Sequence, residues 1–90
     1  MEEVQVTCIN KPHRASPVEA ITHLGGSGWR LTRQQVVAYI EARRYAFYTL
    51  VGGRRAGLAV RVSAGGTKYV QTHADGYWNN NLLALPECSG

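Results

Sequence analysis

The sequence predicts an α+β fold, a single antiparallel sheet of about four strands with one main helix packed on one face. Three observations carry that expectation. Runs that alternate apolar and polar residues, or that are rich in aromatic and β-branched ones, recur at residues 4–9, 45–51, 57–62 and 67–72. Glycine pairs, Gly52-Gly53 and Gly65-Gly66, separate the last three runs at hairpin spacing. Ahead of them, Thr32 and Gln35 occupy the two ends of a capping box, followed by the apolar stripe of Val36, Val37 and Ile40.

Taken in order, residues 4–9 read as a half-buried strand with Val4, Val6 and Cys8 on one face. Pro12 stops the ladder in the loop that follows. Ser16, Pro17 and Glu19 read as cap, first helical position and box residue of a short helix. Ile21 and Leu24 would give that helix its apolar side, and Gly25-Gly26 would end it. A flexible loop over residues 25–28 leads to Trp29 and to the main helix, which runs from the Thr32 cap to Arg43 or Arg44. The three remaining runs form a meander in which Leu58, Val60 and Val62 face in and Arg61 faces out. The N-terminal strand is expected to join the meander at its edge. There is no internal repeat and no linker, and 90 residues suit one small globular domain spanning 1–90.

Apolar residues make up 44% of the chain and charged residues 18%, a balance that opposes disorder. No apolar run reaches the length of a membrane helix, so no membrane association is expected. The acidic start, Met1-Glu2-Glu3, lacks the features of a secretory signal, and the chain is read as cytoplasmic. In that compartment Cys8 and Cys88 are expected as two free thiols. A disulfide between them would instead tie the first strand to the C-terminus.

The charge is uneven. Between Arg30 and Lys68 stand eight basic residues and one acid, Glu41, a local +7 in a chain of net +4. Seven of the eight are arginines: Arg30, Arg33, Arg43, Arg44, Arg54, Arg55 and Arg61. The guanidinium fork matches phosphate geometry, so these seven are the candidate polyanion site, with nucleic acid as its first partner. The competing reading spreads them over several solvated faces. Within the set, Arg30 and Arg33 beside residues 25–28 are the best local anion cradle, although the strand and the Gly-Lys-Ser/Thr of a P-loop are missing.

A second candidate lies in the recognition loop Asp75, Tyr77, Trp78, Asn80 and Asn81. Its rings can stack on bases or fill a partner's pocket, and its amides can pair with adenine edges. The competing reading makes Asp75-Gly76 a tight turn and Trp78 a cover for a small core. Cys8, His13, His73, Asp75 and Cys88 lack the close pairs of a metal site, so no metal and no cofactor are expected. Catalysis by His73, Asp75 and Cys88 would require the three to converge, and no nucleophile motif supports it. The chain is therefore read as non-enzymatic.

Thr72-His-Ala-Asp75-Gly76, then Asn80-Asn81-Leu82-Leu83, then Leu85-Pro86-Glu87-Cys88 resembles the closing signature of a family of small bacterial and phage-associated domains of unknown function, number 3892. The strand opening, the Trp29-Arg-Leu-Thr32 helix start and Tyr48 before the Gly-Gly turn agree with it. The resemblance covers nearly the whole chain and implies a small accessory or regulatory protein, with no activity attached. The expectation is thus a small basic binding domain for nucleic acid or another polyanion. The alternative is a protein–protein interaction module using the sheet edge or the Tyr77-Trp78 loop. An unpaired edge strand in so small a domain also leaves a homodimer open.

Overall fold

The computed structural model describes residues 1–89. The N-terminal run is two strands rather than one. β1 (Glu2–Gln5) pairs in parallel with β5 (Tyr45–Val51), whereas β2 (Cys8–Asn10) pairs with β3 (His23–Gly26) in a different sheet. The crossing occurs at two successive amides. Val6 N–H donates to Tyr48 O and Thr7 N–H donates to Gly25 O, both at 2.8 Å. The bend shifts the buried positions from Val6 to Ile9, a spacing of three that the alternation of a single strand cannot produce.

The first expected helix is one 3-10 turn, Val18–Ala20. Ser16 does not cap it; its hydroxyl accepts from the His13 N–H instead. Ile21 and Leu24, fully buried and three residues apart, mimic a helical stripe but belong to the approach to β3 and to β3 itself. The glycine-rich stretch is the tip of a hairpin. β3 pairs antiparallel with β4 (Trp29–Thr32) through Gly26 and Trp29, and Gly28 takes the left-handed turn position at φ 81°.

The helix start at Thr32 is as expected. The Thr32 hydroxyl accepts from Gln35 N–H at 3.1 Å, and Gln35 Oε1 accepts from Thr32 N–H at 2.9 Å. A cap of this type contributes about 1 kcal/mol. α1 (Arg33–Glu41) buries Val36 and Val37. It ends on a left-handed Arg43, φ 56°, with Arg43 N–H on Ile40 O and Arg44 N–H on Tyr39 O. This paired closure normally favours glycine.

The meander is present as β5, β6 (Arg54–Val62) and β7 (Lys68–Ala74), and β8 (Tyr77–Asn79) extends it. Asp75 and Gly76, at φ 55° and 80°, form the two-residue turn between β7 and β8. The result is a five-stranded mixed sheet in the order β1-β5-β6-β7-β8 and a separate three-stranded antiparallel sheet β2-β3-β4. A single antiparallel sheet of four strands is therefore not the architecture. The parallel β1 and the second sheet arise from long-range pairings that local periodicity does not encode.

One core joins the parts. Val6, Ile9, Val18, Ile21, Leu24, Val36, Val37, Phe47, Leu58, Val70 and Leu82 form a continuous buried cluster. Leu82 enters it from a 3-10 turn, Asn81–Ala84, after which the chain returns to β2. There Ile9 N–H donates to Pro86 O and Cys88 N–H donates to Ile9 O.

This return brings Cys88 to Cys8, with the Cα atoms 4.8 Å apart, and the two are joined in a disulfide across 80 residues. The expectation of free thiols is thus overturned. β3 is fitted to the bond, since a Cβ on Gly25 would lie 2.8 Å from the Cys8 sulfur and 2.9 Å from that of Cys88. A glycine is needed there to let the backbone pass.

Candidate functional site

The alternation of β5, β6 and β7 sends one set of side chains to the core and the other to the opposite, outer face. Phe47, Thr49, Leu58 and Val70 go inward. Tyr48 pairs with Gly57, Gly57 with His73 and His73 with Trp78, so these positions form one row across the outer face. Arg55 and Arg61 flank the row on β6. Leu50 at 50% and Trp78 at 46% exposure leave the β5 and β8 flanks of this face open, whereas Gln71 and Tyr69 on the same side of β7 are buried.

Arginines and aromatic rings are stacked here. The Arg61 guanidinium carbon lies 4.4 Å from the Trp78 ring centroid, and that of Arg55 lies 3.9 Å from the Tyr48 centroid. His73 meets Trp78 edge-on at 5.5 Å. Each cation–ring contact is worth about 0.5–1 kcal/mol at an exposed site. Hydrogen bonds fix the set. Arg61 Nη1 donates to Gln71 Oε1 at 2.9 Å, and Gln71 Nε2 donates to Asn79 O at 3.1 Å, which ties β6 to the edge strand β8. Asn79 Oδ1 in turn accepts from the Thr72 hydroxyl and, at 3.0 Å, from Asn81 N–H. Arg55 also pairs with Glu3, and both side chains are more than half exposed, so the pair adds little stability.

At the end of the same sheet, Arg54 and Arg55 line an open cavity of about 510 Å³ together with Asp75, Tyr77, Asn79 and Asn81. The two sequence candidates therefore meet, in part. Arg54, Arg55, Arg61, Asp75, Tyr77, Trp78 and Asn81 gather around β6, β7 and β8, and Asn80 Oδ1 lies 3.4 Å from Gln71 Nε2.

The other four arginines stand apart from this cluster. Arg30 Nε donates to Asn10 Oδ1 at 2.9 Å on the three-stranded sheet. Arg33 Nη1 donates to Glu19 O at 2.8 Å, and its Nε is buried without a partner. Arg43 and Arg44 close α1. Residues 25–28, the expected anion cradle, are a hairpin.

Sequence reasoning missed Tyr48, Gln71 and His73 as members of the outer face. The small and polar residues alternating through Arg55, Gly57, Ala59 and Arg61 were the available signal. Among the described residues no group of three or more metal-binding side chains comes together, and no helix is long and apolar enough to cross a membrane. Cys88 is committed to its disulfide and His73 to the Trp78 ring.

No match was found among curated proteins or among solved structures. The family model described as "Protein of unknown function (DUF3892)" does match, over residues 5–86, from the end of β1 to Pro86 before the second cysteine. With nearly the whole fold inside that match, the chain belongs to the DUF3892 family of proteins of unknown function.

Proposed function

We propose that this domain binds single-stranded nucleic acid on the outer face of its five-stranded sheet. The observation that carries the reading is the solvent-reached row of Tyr48, His73 and Trp78 with Arg55 and Arg61 stacked against its rings. Bases stack on aromatic and guanidinium planes presented by an open sheet, and each stacked base contributes about 1–3 kcal/mol. Arg54, Arg55 and Arg61 supply phosphate contacts, Arg55 by exchanging Glu3 for the incoming anion. Arg30, Arg33, Arg43 and Arg44 act at longer range by drawing the polyanion toward a protein of net charge +4. The reading needs no cofactor and no catalytic step.

Fluorescence anisotropy of a labelled single-stranded oligonucleotide tests it. With three phosphate contacts, affinity is expected to fall roughly 20-fold between about 50 and 200 mM salt. Salt-insensitive binding, or none at the lower salt, would reject the proposal. A second reading, a protein partner added along β8, is favoured by the edge position of that strand and by the 77% exposure of Tyr77. Absence of nucleic-acid binding would move attention to it.

A further inference from the structure

A second cavity has the opposite character. It holds about 530 Å³ and opens beside the edge strand β1, on the side of the sheet that faces α1 and β4. Four of the chain's eight aromatic residues line it: Trp29, Tyr39, Tyr45 and Phe47. Their rings form a continuous wall, with centroids 5.8 Å apart for Trp29 and Phe47, 6.0 Å for Phe47 and Tyr45, and 5.0 Å for Tyr45 and Tyr39. Neighbouring rings are turned by 52°, 60° and 75°, so the wall curves instead of stacking flat. The fold makes room for it, because a Cβ on Gly26 would collide with the Trp29 indole and with the Gln5 carbonyl.

The charge of the lining selects the ligand. In a chain with ten basic residues, none lines this cavity, whereas Glu2 and Glu3 both do. Glu3 is held by Arg55. Glu2 shares the strand face of Val4, which pairs with Phe47, and makes no ion pair among the described residues. A curved aromatic wall with a free carboxylate at its rim suits a weakly hydrated cation, whose charge is met by ring faces and whose methyl groups fill the apolar space. We propose that this cavity is a binding site for a methylated ammonium group, carried by a small quaternary amine or by a methylated lysine side chain. The inference does not depend on the sheet-face reading, since the two sites share only the Arg55 partner Glu3.

The test is a titration of the ¹⁵N-labelled protein followed at the Trp29 indole N–H and at the amides of Tyr39 and Tyr45. The probes are choline, a peptide containing trimethyllysine, and 3,3-dimethylbutanol, the uncharged carbon analogue of choline. Saturable shifts with the two cations are expected, with the neutral analogue at least about tenfold weaker because it lacks the cation–ring term. A tighter peptide would identify a modified protein tail as the source, and tighter choline a free amine; both support the site. Glu2→Lys, at an exposed position, is expected to weaken the cations roughly tenfold while leaving the neutral analogue unchanged. The proposal is overturned if neither cation produces saturable shifts at these residues. Equal affinity for the neutral analogue, or identical cation affinity in Glu2→Lys, would also overturn it.

Discussion

Reduction of the Cys8–Cys88 bond is expected to lower the stability of the domain by about 4 kcal/mol, the loop entropy returned to an unfolded chain cross-linked across this separation. The effect is large because the domain is small. A chain of 90 residues has a total stability of only about 5–15 kcal/mol. The bond also anchors the C-terminal return that carries Leu82 into the core and sets Cys88 N–H on Ile9 O. The midpoint of thermal unfolding followed by circular dichroism should drop by roughly 15–30 °C on adding a reductant. Cys8→Ala with Cys88→Ala should reproduce the drop without reductant. Superimposable melting curves would mean that the cross-link contributes nothing.

The second large effect concerns the outer sheet face. Arg55→Glu with Arg61→Glu is expected to weaken binding of single-stranded nucleic acid by at least about 30-fold, and the slope of log affinity against log salt should become shallower by about 1.4. Both changes convert a phosphate partner into a repelling charge, and Arg61→Glu also removes the cation above Trp78. The exposed Arg55–Glu3 pair is worth at most about 1 kcal/mol, and loss of the Arg61 hydrogen bond to the buried Gln71 is expected to cost a further ~1–3 kcal/mol, so a melting curve of the double variant accompanies the binding measurement. Arg44→Glu at the exit of α1 serves as a control, because it alters charge away from the face. A loss in that variant as large as in the double variant would point to net charge and not to a site.

The parts of this fold that were legible in the sequence are those written in local chemistry. Thr32 and Gln35 bond each other's backbone within one turn of helix, so their identities alone announce the cap. Gly52-Gly53 and the alternation on either side likewise announce the hairpin of β5 and β6. What was hidden depends on partners distant in the chain. The parallel pairing of β1 with β5 joins residues more than forty apart, and the exchange of sheets at Val6 and Thr7 has no local marker. Residues 25–28 looked like a loop because glycine normally signals freedom. Here Gly25 and Gly26 are glycines because a disulfide and an indole occupy the space of their side chains. The candidate site divides in the same way. Arg55, Arg61, Tyr77 and Trp78 were visible as residue types, but only the strand register puts Arg61 over Trp78 and separates both from Arg30 and Arg33.

Amide and indole chemical shifts recorded while a short single-stranded oligonucleotide is added would locate the nucleic-acid site on the protein. A contiguous set of perturbations is expected at Tyr48, Arg55, Gly57, Arg61, Gln71, His73 and Trp78, with the Trp78 indole among the largest. Perturbations confined to Arg30 and Arg33 or to the exit of α1, with the outer face of the sheet unchanged, would contradict that expectation.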